Sequence, residues 1–546
     1  MKQAELILED IRKIIIVLEK LVNKTPQEIV NKLEEENIEH RIQKIENYYK
    51  ESEFVKQYQN AEAEILSVKA SFNRVIEMAR CNHPKMFIKL EFELIPLTKN
   101  LRLDFYYFNW IYPDKEKMKN FFDKEVSSYY YSPYVERAKK TGNYKYDLSI
   151  IVLAYNKLEY TKMCVRSLKR FLPTNIKYEL VFINHGSTDG TKKFFENENP
   201  DKQIDIEVNG GGLSVLESML EGEYALLISN DVLVTKNSIE NMYRCVTSDK
   251  RIGWVVATTP NIYNLQSIAA SYSTLGEMYQ FAEKNNVSDE RRWEEKVRLC
   301  NPIDMYKVEN MINCVCKKIK RPEGIVFPDD KISSGFRQSG YKLILAKDSY
   351  CYHFGSVTVK DEMLNPLSGQ IFYTQGRIKF MKELGIDPWG YGFCHNPLLM
   401  NRLDFFEENY GDVLGINSGM GENPLKIRNM FNEKLGKRNC KITYLTQYEM
   451  NLKDLQGLGN KTYKVGDWTE YKEVLRDKYS YILLENGVTE NNISSIYGLF
   501  DFLNDHGKIL VRVTDRNLFL KIKSVFKGKE ILNQENDYWV ELIFEN

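Results

Sequence analysis

The stretch Asp147-Leu-Ser-Ile-Ile-Val-Leu-Ala-Tyr-Asn156 decides the fold of the largest part of this chain. Its run of β-branched and apolar residues predicts a buried strand, and the small polar residues that end it predict a loop. A polar-apolar helix is predicted over about 158–171, and a second apolar strand follows at 178–183. Strand, helix and strand at this spacing predict a βαβ unit with parallel strands.

Polar residues stand at the ends of three predicted strands, the third of which covers 223–228. They are Tyr155 and Asn156, then Asn184, Gly186, Ser187 and Asp189, then Asn230 and Asp231. In an open parallel sheet, ligands bind in the crevice beyond the carboxyl ends of the strands. We therefore expect the three polar tips to converge on one crevice.

Length and charge set limits on the class of protein. A chain of 546 residues is long enough for about three domains, because single hydrophobic cores stop growing below this size. Lys and Arg together number 76, as do Asp and Glu. A chain without net charge has no general field that attracts nucleic acid or an anionic membrane.

The cysteines and the first helix bear on location. The nine cysteines follow no regular spacing, which favours reduced thiols in a cytoplasmic protein. Glu5, Glu9 and Asp10 interrupt the first apolar run and argue against a signal peptide. No stretch approaches the roughly 20 uncharged residues of a membrane span.

Residues 1–100 are predicted to form a helical domain. Ile7, Ile11, Ile14 and Leu18 follow the spacing of one helical face, and Thr25-Pro26-Gln27-Glu28 has the pattern of a helix start. Three interpretations stay open: a packing or oligomerisation domain, an arm that docks a large acceptor, or a membrane-surface helix.

Residues 101–146 form an aromatic-rich connector, which ends in the linker Thr141-Gly142-Asn143. Packing between domains explains these aromatics, and an acceptor groove is the alternative, because aromatic rings stack on sugar faces.

Four motifs in order identify a family. They are 148–156, 182–191, 224–232 and the group 327–333, 340–343 and 353–356. Together they resemble the family 2 glycosyltransferases of the GT-A fold, over about residues 147–385. The resemblance implies an α/β domain at 147–400 with a mixed sheet and flanking helices, a nucleotide-sugar donor that is usually UDP-linked, a divalent metal, and transfer with inversion.

A departing diphosphate needs a cation, and Asp231 at a strand tip is the predicted ligand. The resemblance implies a second metal or diphosphate contact at His353, for which a purely structural role is the alternative. Imidazole suits Mn²⁺ better than Mg²⁺, so we expect Mn²⁺ or, failing that, Mg²⁺. Ser229 and Asn230 depart from the acidic residues that relatives often carry beside the metal ligand, and Asn230 is predicted to bind the donor ribose.

The nucleotide base is expected against Tyr155, with backbone groups of Ala154 and Tyr155 at its edge and Asn156 beside them. Asn184 stands where many relatives have Asp, and it can still pair with uracil because an amide both donates and accepts. Gly186 and Ser187 form the turn, where Gly186 is a predicted donor-binding residue, and Asp189 is predicted to cap the next helix. The glycine-rich segment 209–222 receives no ligand role.

Inversion requires a general base that faces the acceptor hydroxyl. Counting back from Gly340, Asp329 falls where the resemblance implies this base. Asp330 is the alternative base, or a residue that caps the helix or orients its neighbour. The segment 254–322 is where we expect the acceptor to bind.

The region 401–546 is predicted to be a second α/β domain. A strand runs into the turn of Gly411-Asp-Val-Leu-Gly-Ile-Asn-Ser-Gly-Met-Gly421, and strands follow at 442–445, 481–484 and 508–513. This resembles a worn class I methyltransferase domain of Rossmann-like type, with Asn417 in place of a glycine and Thr446 in place of the ribose-binding acid. A scaffold is the first interpretation and an active S-adenosylmethionine-dependent domain the second.

The sequence thus predicts a cytoplasmic, metal-dependent inverting glycosyltransferase. Its donor is a UDP-sugar, with UDP-GlcNAc as one possibility, and its acceptor is either a protein Ser or Thr, as in flagellin, or a surface glycan. A homo-oligomer could form through the N-terminal helices. The alternatives are a bifunctional glycosyl- and methyltransferase and a non-catalytic glycan-binding scaffold.

Overall fold

The protein is represented by a computed structural model. It describes residues 2–21, 24–51, 61–83, 86–90, 94–106, 109–110, 144–206, 220–316, 328–355, 377, 380–381, 384–534 and 537–542. Most of the aromatic connector, most of the glycine-rich segment and Phe327 lie outside the described residues.

The N-terminal region is helical, as predicted. Its helices are α1 Lys2–Leu21, α2 Pro26–Glu35, α3 Ile38–Glu51, α4 Ala61–Arg80, α5 Met86–Lys89 and α6 Ile95–Tyr106. The apolar face of α1 is buried in the shared core. The predicted helix start is confirmed, because Thr25 Oγ1 accepts the Glu28 N–H and the Glu28 carboxylate accepts the Thr25 N–H at 2.8 Å.

The central domain alternates strands and helices. Its strands are β1 Tyr146–Ala154, β2 Tyr178–His185, β3 Lys202–Ile206, β4 Gly222–Ser229, β5 Val232–Leu233, β6 Ile252–Thr258, β7 Trp293–Glu295, β8 Ile303–Lys307, β9 Lys342–Tyr350 and β10 Tyr352–His353. Its α-helices are α7 Leu158–Arg170, α8 Thr191–Glu198, α9 Ser238–Ser248, α10 Leu275–Asn285, α11 Val308–Met311 and α12 Pro328–Arg337. A 3₁₀ turn covers Glu290–Arg292 and a π-helical turn covers Ile312–Cys316.

Eight of these strands form one mixed sheet in the order β3-β2-β1-β4-β8-β6-β9-β7. The predicted parallel βαβ unit is confirmed, since β1 pairs in parallel with both β2 and β4. Strand β8 lies antiparallel between β4 and β6, and β7 lies antiparallel to β9. A separate ribbon joins β5 to β10. This mixed sheet with flanking helices is the predicted GT-A architecture.

The run that opens the domain is buried on both faces of the sheet. Ile150 and Val152 belong to one apolar cluster, and Ile151 belongs to the cluster on the opposite face. A strand that is covered on both sides has a continuous apolar sequence rather than an alternating one. This is why the strand could be predicted from the sequence.

The C-terminal region is a second α/β unit. Its strands are β11 Val413–Ile416, β12 Ile442–Thr446, β13 Lys461–Lys464, β14 Tyr479–Leu484, β15 Leu503–Val513, β16 Lys529–Gln534 and β17 Asp537–Leu542. Its α-helices are α13 Pro397–Met400, α14 Glu422–Leu435, α15 Glu449–Leu458, α16 Tyr471–Val474 and α17 Arg516–Val525. The 3₁₀ turns are Trp468–Glu470 and Ile493–Phe502.

The C-terminal sheet has the order β13-β12-β11-β14-β15-β17-β16. Its first five strands are parallel and have the 3-2-1-4-5 order of a Rossmann-type sheet, while β17 is antiparallel to β15 and β16. Phe380 and Ile386 belong to its core, so this packing unit includes residues before the expected boundary at 401.

The central and C-terminal units pack against each other along two helices. Helix α14 lies against β7, and helix α15 lies against α12. The first contact contains a buried ion pair in which Lys296 Nζ lies 2.9 Å from Glu422 Oε1. Within the described ranges, no helix combines the length and the apolar character needed to cross a membrane.

Candidate active site

The tip of β1 is fixed to the tip of β2. After Ala154 the chain turns sharply, with Asn156 in the left-handed region at φ 53°. The Asn156 N–H donates to Ser187 Oγ at 2.8 Å, and Asn156 Oδ1 accepts the Thr188 N–H at 2.8 Å. Asn tolerates this backbone conformation better than most residues. The predicted convergence of the two tips is therefore present.

The turn after β2 is held by two side chains. Asn184 Oδ1 accepts the Ser187 N–H at 3.0 Å and Asn184 Nδ2 donates to Asp205 Oδ1 at 2.9 Å, on either side of Gly186 at φ 70°. Asp189 accepts the Leu158 N–H at 2.7 Å and the Thr191 N–H at 3.1 Å. Asp189 thus caps the first turns of two helices.

The third tip is tied to the first through Asn230. Its Nδ2 donates to the Asn156 carbonyl at 3.0 Å and to Thr161 Oγ1 at 2.9 Å. Both amide hydrogens of Asn230 are used inside the protein, so a contact of this residue with a ribose would involve its oxygen. Ala154 is buried and Tyr155 is half-buried at the same edge of the sheet, where their contact with a nucleobase stays a prediction.

Asp231 and His353 meet across the β5–β10 ribbon. His353 pairs with Val232 in the ribbon, and the Phe354 N–H donates to the Asp231 carbonyl at 3.0 Å. This pairing brings Asp231 Oδ2 within 3.3 Å of His353 Nε2. Both side chains are buried, at 3% and 6% exposure.

The tautomer of His353 follows from its other ring nitrogen. Nδ1 lies 2.8 Å from the Asn261 carbonyl oxygen, which can only accept, so Nδ1 carries the hydrogen and donates it. In the neutral ring, Nε2 then directs its lone pair toward the Asp231 carboxylate. The Asn261 side chain donates in turn to the backbone carbonyl of His353 at 3.0 Å, so this residue is tied to Asn261 through both its ring and its backbone. Orientation of a metal-binding His by a carbonyl in this way is common.

The donor set fits a divalent cation. A carboxylate oxygen and an imidazole lone pair at 3.3 Å repel each other unless a proton or a metal ion lies between them. A hard oxygen together with one imidazole nitrogen suits Mn²⁺ well. Asp231 and His353 are therefore the residues that would hold such an ion.

A second group also brings potential ligand atoms together. Glu294, His395 and Glu422 place them within 4.8 Å of one another. Here the protein supplies its own cations, since Lys296 Nζ lies 2.9 Å from Glu422 and Lys426 Nζ lies 2.7 Å from Glu294. This group is an internal ion-pair network rather than a metal site.

Three acids cluster near the start of α12. Asp329 Oδ2 accepts the Asn301 N–H at 3.4 Å, and Asp330 Oδ1 lies 3.1 Å from Arg298 Nε. Asp304 on β8 accepts from the Trp254 indole at 2.5 Å and from the Asn301 side chain at 3.3 Å. The cation beside Asp330 distinguishes it from Asp329.

Burial and like charges shift these acids toward the neutral form. Burial, followed by the charges of Asp330 and Asp304, raises the pKa of Asp329 to about 8. Burial also raises the pKa of Asp330 to about 6, a shift that Arg298 and Arg337 reduce. Of the two candidates, Asp329 has the higher proton affinity, the property a general base needs near neutral pH. Its assignment as the base stays a prediction.

One loop, residues 261–266, joins the two halves of the site. Asn261 holds His353, and Gln266 exchanges hydrogen bonds of 2.7 and 2.9 Å with the backbone of Cys300, next to Asn301. Between these anchors, Tyr263 is 88% exposed. The sequence placed this loop, Asp304 and Arg298 only within the segment 254–322 expected to bind the acceptor, and it gave them no individual role, because Trp254, Asp330 and His353, which they contact, lie dozens of residues away in the chain.

We predict that Asp231→Asn weakens binding of Mn²⁺ by at least tenfold, since it removes the charged ligand atom. His353→Gln is expected to have a smaller effect in the same direction. The measurement is a titration of Mn²⁺ followed by electron paramagnetic resonance. Glu422→Gln, at the internal ion-pair network, serves as control and should bind as the unchanged protein does. Loss of binding in Glu422→Gln with retention in Asp231→Asn would contradict the assignment.

Asp329→Asn is predicted to raise the thermal midpoint in a pH-dependent way. The folded-state pKa of Asp329 is about 8, above the value of about 4 for an unfolded chain, so the folded state loses stability as pH rises between these values. The difference between variant and unchanged protein should be negligible near pH 4 and should grow until about pH 8. Midpoints that stay parallel across this range in scanning fluorimetry would refute the shift.

Comparison with known proteins assigns part of the chain. Residues 149–291 match the family model described as glycosyl transferase family 2, a segment that includes Asp231 but neither Asp329 nor His353. No curated protein sequence is significantly similar to the chain.

Three solved structures are similar to parts of this chain. The mannosyltransferase PcManGT from Pyrobaculum calidifontis, in complex with GDP-Man and Mn²⁺, is 16% identical over 47% of this chain and 67% of its own, with a TM-score of 0.28. GalNAc-T7 with UDP, GalNAc and Mn²⁺ is 13% identical over 38% and 43%, with a TM-score of 0.31. S. aureus TarS 1–349 is 15% identical over 43% and 66%, with a TM-score of 0.29.

The aligned regions cover less than two thirds of GalNAc-T7 and of the TarS fragment. The assignment accordingly depends on the family match and on the mixed sheet described above. Residues 149–291 therefore match the family model described as glycosyl transferase family 2, within the mixed sheet and flanking helices of the predicted GT-A architecture.

Proposed function

We propose that this protein transfers a sugar from a UDP-linked donor to a hydroxyl acceptor, with inversion at the anomeric carbon. The observation that carries the proposal is the pair Asp231 and His353, whose buried ligand atoms meet at 3.3 Å where three strand tips are tied together. The cation expected there is Mn²⁺, and the first donor to test is UDP-GlcNAc.

The leaving group defines what these two residues do. When the glycosidic bond breaks, negative charge grows on the β-phosphate oxygen, and a bound divalent cation supplies the charge that stabilises it. Asp231 and His353 hold the position of that charge relative to the sheet edge. The Asn261 carbonyl keeps the His353 ring in the orientation that binding requires.

Asp329 is proposed to take the proton of the acceptor hydroxyl as its oxygen attacks the anomeric carbon. Its partly desolvated carboxylate has a raised proton affinity, which favours this transfer. Asp330 is proposed to orient the start of α12 through its ion pair with Arg298. The loop 261–266 supports placing both groups around one reaction centre, because it contacts His353 at one end and Cys300 at the other.

The acceptor is proposed to contact Tyr263. An aromatic ring that is 88% exposed on the loop between the two halves of the site offers a stacking surface for a pyranose ring. This favours a glycan acceptor, and a Ser or Thr hydroxyl of a protein such as flagellin is the alternative to be tested beside it.

For the C-terminal domain we propose a scaffold role rather than a second transferase activity. Residues 391–392 of the same chain lie against its glycine turn. The Met420 N–H donates to the Tyr391 carbonyl at 2.9 Å, and the Glu422 N–H donates to the Gly392 carbonyl at 3.1 Å. A Cβ at Gly419 would lie 2.0 Å from the Tyr391 oxygen.

The ring of Tyr391 extends the same contact. Its hydroxyl donates to the Glu485 carboxylate at 2.6 Å, and the Arg512 guanidinium lies 4.2 Å from its centroid. Protein atoms thus contact the backbone groups of the turn where a Rossmann-type domain would approach a nucleotide. These contacts support the scaffold role. They argue against the bifunctional alternative, in which the C-terminal domain would be an active methyltransferase.

The proposal predicts Mn²⁺-dependent release of UDP from a UDP-sugar, lost in Asp231→Ala. Asp329→Asn should retain binding of the donor but lose transfer by about 100-fold or more, because only the proton acceptor is removed. In the unchanged protein, kcat/KM should rise with pH toward about 8, since Asp329 must be ionised to act. Metal-independent UDP release, or full activity in Asp231→Ala, would exclude the proposal and leave a binding scaffold.

Tyr263→Ala is predicted to raise the KM for a glycan acceptor by about tenfold, corresponding to the loss of one stacking contact. Hydrolysis of the donor in the absence of acceptor should not change, because Tyr263 has no role in holding the cation. Tyr263→Phe, which keeps the ring, is the matched control. The kinetics are measured with glycan and with flagellin-type protein acceptors in parallel, and an unchanged KM for both would remove Tyr263 from the acceptor site.

A further inference from the structure

We propose that Asp454 of the C-terminal domain is a positioning residue for helix α12, and that through Arg337 and Arg298 it controls the charge around Asp329 and Asp330. The inference depends on the proposed function for its kinetic readout. It assigns the C-terminal domain a role in the transfer reaction.

The first link joins the two domains. Asp454 Oδ1, on α15, lies 2.8 Å from the Arg337 guanidinium, on the last turn of α12, and neither side chain is exposed. Gln338 donates to the same Asp454 oxygen at 3.3 Å. The helices also touch through their backbones, since a Cβ at Gly457 would lie 2.2 Å from the Arg337 carbonyl oxygen. Helix α12 is therefore fixed at its end by the C-terminal domain.

The second link reaches the start of the same helix. Arg337 donates to the Val297 carbonyl, and the next residue, Arg298, lies 3.1 Å from Asp330. Arg298 is 2% exposed, so two guanidinium groups are buried between Asp454 and Asp330. Two buried cations repel each other unless acids on both sides compensate them. Asp454 and Asp330 are the acids in these positions.

The charges behave as one network. The pKa of Arg298 is lowered to about 10 by burial and by Arg337, while Asp454 and Asp330 act in the opposite direction. Burial raises the pKa of Asp454, but Arg337 and Arg298 outweigh this and keep it below its ordinary value, so Asp454 is ionised. A charged Asp454 thus offsets part of the positive charge that would otherwise act on Asp330.

The groups that surround the two acids fix the expected direction. Asp304 on β8 and the Cys300 thiol face Asp329, while Arg298 and Arg337 face Asp330. Replacing Asp454 by a neutral residue leaves the arginines less compensated. The potential at both acids then becomes more positive, so both ionise more easily. The charge of Asp330 opposes this effect at Asp329, but Asp330, with a pKa of about 6, is already ionised in the range where Asp329 titrates, so the pH at which Asp329 becomes active as a base decreases.

The test compares Asp454→Asn with Glu422→Gln, which neutralises another buried acid of the same domain contact away from α12. In Asp454→Asn we expect the acid limb of the pH profile of kcat/KM to shift down by about half a unit to one unit. We also expect kcat to fall roughly tenfold or more because the helix is held less well. The KM for the donor should stay the same, Glu422→Gln should keep the limb of the unchanged protein, and Asp454→Glu should restore it.

Three outcomes would overturn the inference. The first is an acid limb of the kcat/KM profile that does not move in Asp454→Asn, and the second is an equal shift of that limb in Glu422→Gln. The third is an acid limb in Asp454→Glu at the same pH as in Asp454→Asn. If Asp454→Asn fails to fold, Gly457→Ala takes its place. Its methyl group forces α15 away from Arg337, so the limb should shift in the same direction, and an unmoved limb would count against the inference.

A readout without activity separates this inference from the proposed function. The pH-dependent gain in thermal midpoint caused by Asp329→Asn is measured again in the Asp454→Asn background, or in Gly457→Ala. The inference predicts that this gain sets in at lower pH than in the otherwise unchanged protein. An identical pH dependence overturns it even when no transferase activity is found, and a shifted one supports it in the same circumstances.

Discussion

The structure depends on one approach that the fold imposes, that of the Asp231 carboxylate to Nε2 of His353, which is favourable only with a positive charge between the two atoms. The ribbon of β5 and β10 forces the two side chains together, and the hydrogen bond from His353 to Asn261 prevents the ring from turning away. Without a proton or a metal ion between the two atoms, this arrangement would destabilise the folded protein. With a divalent ion it becomes a binding site at the edge of a sheet whose strand tips are tied by Asn156 and Asn230.

A second set of buried charges connects this site to the rest of the chain. The C-terminal domain has the strand order of a nucleotide-binding fold, yet its glycine turn contacts Tyr391 and its helix α14 contacts β7 of the central domain. The surfaces that such a domain would use for a nucleotide are here used for contacts within the protein. We infer that this domain holds helix α12 in place through the buried ion pair between Asp454 and Arg337.

The sequence could predict what local patterns determine. The apolar run of β1, the βαβ order, the cap at Thr25 and the position of Asp231 at a strand end all follow from spacing and residue type. Contacts made between distant segments could not be predicted, because nothing in the local pattern marks them. Asn261 meets His353 across 92 residues, and Arg337 meets Asp454 in another domain. The antiparallel pair β16 and β17 was missed in the same way, since short C-terminal strands have no distinctive pattern.

The most direct test is the position of the metal in crystals of the protein grown with Mn²⁺ and a UDP-sugar, located by its anomalous scattering. The account predicts a peak about 2.0–2.3 Å from both Asp231 Oδ2 and His353 Nε2, in the same cavity as the carboxylate of Asp329. A peak at Glu294, His395 and Glu422 instead, or a metal at Asp231 in a cavity that does not include Asp329, would contradict it.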